Sequence, residues 1–89
     1  MRSPLIALVA LMLAGCGQSA PNLYPEAARQ RFEASCPSDS QVCVCTWDQI
    51  TRTMTHDEYE AALARFRETG LMEPKVTRAR TQCIERHSE

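Results

Sequence analysis

Four stretches of the chain repeat apolar residues at helical spacing, with turn formers between them. Between Pro25 and Pro37, Ala28, Phe32 and Cys36 recur every four residues. Proline suits the first position of a helix, where its missing N–H is no loss, and the second proline discourages continuation, so the pattern predicts a first helix ending near Cys36. Pro37-Ser38-Asp39-Ser40 then supplies turn formers and candidate N-caps. After it Cys43, Trp47, Ile50 and Met54 fall at i, i+4, i+7 and i+11, which gives a second helix one apolar face. Thr55-His56-Asp57-Glu58 matches the S/T-x-x-E capping box, in which hydroxyl and carboxylate satisfy orphan backbone donors reciprocally, so a third helix starts at about residue 56. Tyr59, Ala62, Leu63 and Phe66 form its stripe. Acidic Asp57, Glu58 and Glu60 open it, and Arg65 and Arg67 close it before Gly70, in the order the helix dipole favours. Past the Leu71-Met72-Glu73-Pro74 connection, Val76, Ala79 and Cys83 mark the inward side of a last helix running to about Arg86, with Ile84 on its flank.

No alternation of apolar and polar residues is long enough for a strand; residues 42–46 are too few and too close to a capping signal. The expected fold class is all-α, a small disulfide-stapled bundle of three to four short helices. Phe32, Trp47, Tyr59 and Phe66 supply its bulky core, and aromatic side chains at helical spacing read as packing rather than as a binding site. A groove between the third helix and the last, if the core has one, is the first place suggested by helix order for a binding site.

The chain has 89 residues, with ten Lys and Arg against eleven Asp and Glu. A near-neutral chain this short argues against nucleic acid as a partner, because phosphate neutralisation needs a basic excess. The first segment differs from the rest. Arg2 precedes an apolar run from Leu5 to Leu13, which is of signal-peptide length and too short to span a bilayer, and the run ends in Leu13-Ala14-Gly15-Cys16. That tetrapeptide resembles the lipobox of bacterial lipoproteins. The resemblance, which covers about Met1 to Gly17, implies a signal peptide over 1–15 and a Cys16 that carries lipid on its sulfur and becomes the N-terminus. It also implies sorting: Gly17 rather than Asp after the cysteine favours the outer membrane, facing the periplasm, in a Gram-negative host. The alternatives are an ordinary secretory signal or a buried apolar helix with a chance cysteine.

On that reading the mature chain keeps 74 residues, with nine Lys and Arg facing eleven Asp and Glu for a side-chain charge of −2. Residues 16–22 are the lipidated cysteine and a tether of linker composition, 23–86 the helical domain, and 87–89 a tail. Six tether residues at about 3.3 to 3.6 Å each hold the domain within roughly 20 Å of the lipid.

Four cysteines remain once Cys16 is assigned to lipid, an even number that reads as two disulfides in an oxidising compartment. Four cysteines permit three pairings, which sequence alone does not decide, and Cys43-Val44-Cys45 narrows them. Residues two apart on a helix point about 200° apart, which strains a mutual bond and sends each sulfur to a different partner. Cys43 shares the Trp47–Ile50–Met54 face and Cys83 the Val76–Ala79 face, so the preferred connectivity is Cys43 with Cys83 and Cys36 with Cys45. Cys36 with Cys43 and Cys45 with Cys83 is the close alternative. A staple to Cys83 closes about forty residues and contributes about 3 to 4 kcal/mol in the chain-entropy model. The order cysteine, C-x-C, short helix, Thr-capped acidic helix, terminal cysteine is similar to that of small exported four-cysteine helical proteins of unknown function, a resemblance of spacing that implies no activity.

Other chemistry is weaker. A catalytic C-x-C needs an exposed low-pKa thiolate and a thioredoxin-like βαβ context, which is missing here. Cys36, Cys43, Cys45, Cys83, His56 and His87 could supply metal ligands, but not at structural-zinc spacing, so no metal or other cofactor is expected. His56 reads as a first-turn histidine and His87 as part of the tail. No nucleophile elbow, zincin, phosphate-loop or dinucleotide motif occurs, so the chain does not read as an enzyme. Lys75, Arg78 and Arg86, with Arg80 nearby, read as a solvated basic stripe. The partners expected are membrane lipid through acylated Cys16 and an unidentified envelope protein. The functional expectation is therefore a lipid-anchored interaction module at the membrane surface, set against a thiol-redox or metal-handling protein that uses Cys43 and Cys45, or a lysis-promoting lipoprotein.

Overall fold

In the computed structural model, which describes residues 20–87, four helices follow one another: α1 (Glu26–Ser35), α2 (Gln41–Thr53), α3 (His56–Thr69) and α4 (Pro74–Arg86). The protein is all-α, with no strand among the described residues. None of these helices is long and apolar enough to cross a membrane. The lipobox, the apolar run before it and Cys16 lie outside the described residues.

Local chemistry sets the boundaries. Pro25 is extended (φ −64°, ψ 148°) and caps α1 instead of occupying its first turn. The Ser40 hydroxyl accepts from the Cys43 N–H at the start of α2. Both halves of the capping box form at α3: the Glu58 N–H donates to Thr55 Oγ1 (3.2 Å) and the Thr55 N–H to Glu58 Oε1 (2.8 Å). The backbone bond from Thr55 holds the Glu58 carboxyl below its ordinary range. Gly70 ends α3 in the left-handed region (φ 76°), which costs a residue with a Cβ more than it costs glycine. Pro74 opens α4, and the Glu73 carboxylate accepts from the Lys75 N–H.

α2 is the helix around which the others are arranged. Ile50 and Met54 from it, Tyr59 and Ala62 from α3 and Ala79 from α4 form the buried centre, with Tyr24, Phe32, Trp47, Leu63 and Val76 half-buried around them. Trp47 is a hub: its ring lies 5.0 Å from Phe32, 5.2 Å from Tyr24 and 5.8 Å from Tyr59 between centroids. Edge and tilted geometries of this kind add to simple area burial. Phe66, expected in the core, is 44% exposed, because residues 65–69 of α3 are all exposed. Tyr24, which precedes the first helix, occupies the aromatic cluster instead.

The disulfides join Cys36 to Cys43 and Cys45 to Cys83, with Cα atoms 5.3 and 5.7 Å apart. The preferred pairing, Cys36–Cys45 with Cys43–Cys83, is therefore corrected in favour of its alternative. The physical reason is that two different neighbours flank α2. The Cys43–Trp47 row faces α1, where Trp47 meets Phe32, while Cys45 lies on the side where Gln49 and Thr53 meet α4. Cys45–Cys83 ties the first half of α2 to the last half of α4, and Thr53 meets Lys75 at the other ends, so the two helices run antiparallel. α4 buries only Ala79 and Cys83 fully, with Val76 partly covered. One valine-sized side chain contributes at most about 1.5 to 3 kcal/mol, so the covalent bond holds α4 at least as firmly as apolar contact does.

Replacing Cys45 and Cys83 together by serine is expected to lower the unfolding free energy by about 3 to 4 kcal/mol, and replacing Cys36 and Cys43 by about 2, because the closed segments differ in length. Chemical denaturation of both double variants measures this. Equal losses would mean that loop length does not set the ranking.

Candidate functional site

The two ends of α2 carry different chemistry. At its C-terminal end the last carbonyls have no partner within the helix and need donors from elsewhere. They come from the segment before α1. The Asn22 N–H donates to the Thr51 carbonyl (2.8 Å), and Asn22 Nδ2 donates to the carbonyls of Thr51 and Met54 (both 2.9 Å). Tyr24 Oη donates to the Met54 carbonyl (2.9 Å) and lies 3.1 Å from that of Thr55. Asn22, whose composition placed it in the tether, is thus bonded to the domain, as a cap supplied from about thirty residues away in sequence. Burial pushes the Tyr24 phenol up to about 12, helped by Tyr59 and by the carboxylates of Glu58 and Glu60.

At the N-terminal end lie both disulfides. Beside them a cleft of about 420 Å³ opens between the start of α2 and the end of α4, walled by Asp39, Val44, Cys45, Asp48, Arg86 and His87 among others. Arg86 Nη1 stands 3.7 Å from Cys45 Sγ. A second hollow, of about 210 Å³, lies between α1 and α2 along Phe32, Trp47 and the Cys36–Cys43 bond. Exposed Val44 (53%) borders both. The wider cleft lies between the second helix and the last, not between the third and the last. α3 packs on the core through its first half, and α4 lies mainly along α2.

Cys43 and Cys45 are not bonded to each other, and each is engaged with a different partner. Among the described residues no three of His, Cys, Asp and Glu gather where they could hold a metal ion. His56 rests against the Tyr24 ring (5.4 Å between centroids) and reaches Glu60 at 3.5 Å, with no nucleophile beside it. His87 joins the wall of the wide cleft, its N–H bonded to the Cys83 carbonyl. The basic stripe is divided: Lys75 and Arg78 flank a hollow with Gln49 and Thr53, while Arg86 turns to Cys45. Sequence reading missed Asn22 and Tyr24. A polar side chain and an aromatic ring between a linker and a proline were the available signal, though nothing local says which carbonyls they meet. The chain matches no protein-family model, none of the curated proteins and no solved structure.

Replacing Asn22 by alanine removes two side-chain bonds to helix carbonyls and is expected to cost about 1 to 2 kcal/mol, read from the thermal midpoint. The phenol of Tyr24 gives a pH signature. Its folded-state value lies above the ordinary tyrosine value of 10.0, so its contribution is complete below pH 10 and is lost as the pH rises towards 12. Denaturation midpoints should fall across that window, and Tyr24→Phe should flatten the fall. An unchanged slope in that variant would assign it to other groups.

Proposed function

We propose that the protein is a lipid-anchored component of the cell envelope, held through Cys16 and presenting its helical domain to another envelope protein as a small interaction module. The observation that carries this reading is the order Arg2, apolar run, Leu13-Ala14-Gly15-Cys16. The parity of the cysteines supports it, because the four others are consumed in two disulfides. Oxidised cysteines suit a compartment outside the cytoplasmic membrane. With Gly17 following the anchor, the outer membrane facing the periplasm is the destination proposed for a Gram-negative host.

The Asn22 clasp supports a definite presentation. Five residues separate Cys16 from Asn22, at most about 18 Å of chain if extended, and Asn22 itself is fixed at the C-terminal end of α2. The disulfide-bound end, with its cleft and exposed Val44, lies a helix length away. Thirteen residues at about 1.5 Å each put that separation near 20 Å. A rigid end pointing away from the lipid is where a partner would dock. The role is one of contact, without catalysis.

Cys16→Ser should move the protein from the membrane fraction to the soluble fraction or leave it as unprocessed precursor, with loss of the acyl mass at residue 16. Intact-mass analysis with membrane fractionation measures both. Finding residue 16 unacylated in material taken from the native envelope would end this reading.

A further inference from the structure

The two disulfides differ in what can reach them. Cys36 and Cys43 are both buried (6% and 8% exposed), and Cys83 is sealed at 0%. Cys45 is the exception: it is half-buried, lines the wide cleft and has a guanidinium beside its sulfur. Among the described residues no carboxylate is paired with Arg86, whereas Asp48, also on the cleft wall, is paired with Arg52 at 3.0 Å. Asp39 and His87 are the other ionisable groups facing the opening.

We propose that Cys45 Sγ is a thiol-exchange site, the point at which the thiolate of a dithiol oxidoreductase enters, and that Cys45–Cys83 is the exchangeable disulfide of the two. A thiolate is an anion, and a guanidinium beside the sulfur under attack favours its approach. The attacking sulfur forms a bond to Cys45 Sγ, the Cys45–Cys83 bond breaks, and its electron pair leaves on Cys83 Sγ, which takes up a proton. The second thiol of the partner then attacks the partner's own sulfur in the mixed disulfide and releases Cys45 as a thiolate next to Arg86. The partner ends as a disulfide, and the Cys45/Cys83 pair has gained two electrons. Entry at Cys83 would require the thiolate to cross the seam between α2 and α4. The result is release of α4, which is otherwise held by Ala79 and part of Val76. Around Cys36–Cys43 the basic group lining the neighbouring hollow, Arg29, is paired with Glu26 and Glu33, whose carboxylates offset the attraction it could offer a thiolate.

The test uses the full chain as recovered oxidised from cells. It is treated under native conditions with limiting dithiothreitol and, separately, with glutathione, then quenched with an alkylating reagent and mapped by mass spectrometry. Cys45 and Cys83 are expected to be alkylated at least roughly tenfold ahead of Cys36 and Cys43, with the glutathione adduct on Cys45. Arg86→Gln should slow opening by about two- to tenfold at low ionic strength and by much less at 1 M salt, with the thermal midpoint unchanged. Earlier opening of Cys36–Cys43, simultaneous opening of both pairs, an adduct on Cys83, or a rate indifferent to Arg86 would each overturn the proposal. None of these outcomes depends on acylation of Cys16, so this site and the anchor stand or fall separately.

Discussion

Two cysteines two residues apart on one helix cannot serve the same neighbour. About 200° of helix rotation separates Cys43 from Cys45, so their sulfurs leave α2 in opposite directions and each pins a different segment. Cys43 takes the end of α1, and Cys45 takes α4 from across the chain. The connection between α1 and α2 is thereby closed into a tight loop, and a polar last helix is fixed to a helix that offers it little apolar surface. The cleft beside Cys45 lies where the second of these directions brings α4 against α2.

Size explains why covalent bonds are needed. A domain below about 80 residues buries too small a fraction of its surface for apolar contact alone to offset chain entropy comfortably. Among the described residues the buried apolar side chains larger than alanine, apart from the disulfide cysteines, are Ile50, Met54 and Tyr59. Trp47 adds to them by gathering three rings from separate segments, and Tyr24 does double service by filling a place in that cluster and bonding helix carbonyls with its hydroxyl. Buried Thr46 and Thr51 return their hydroxyls to the carbonyls of Val42 and Asp48, so neither side-chain oxygen is left without a partner in the interior.

Features written in a few adjacent residues were readable before the structure. Thr55 and Glu58 close their capping box, Ser40 caps α2, and Gly70 ends α3, because in each case donor and acceptor lie within one turn of each other. The two disulfides and the all-helical class followed from count and periodicity. What failed was direction in space. A helical stripe tells which residues share a face but not which neighbour that face meets, and treating the core as a single direction sent Cys43 towards Cys83. The same limit misplaced Phe66, whose spacing is helical and apolar but whose end of α3 is exposed. Asn22 looked like linker for the opposite reason: its partners are the carbonyls of Thr51 and Met54, about thirty residues away, and backbone acceptors leave no mark in the sequence.

The polarity of α2 links these local facts to a role. Its C-terminal carbonyls are held by Asn22 and Tyr24, which fixes the start of the described chain at that end. Its N-terminal end is held by two disulfides and carries the wide cleft. On the proposed anchoring through Cys16, the first end would be the membrane side and the second the presented side, with α2 between them. Opening Cys45–Cys83 would act on this arrangement at one point only. The clasp and the Cys36–Cys43 loop would stay in place, while α4 and the Arg86 wall of the cleft would be freed together, so loss of the presented surface would not require loss of the anchor.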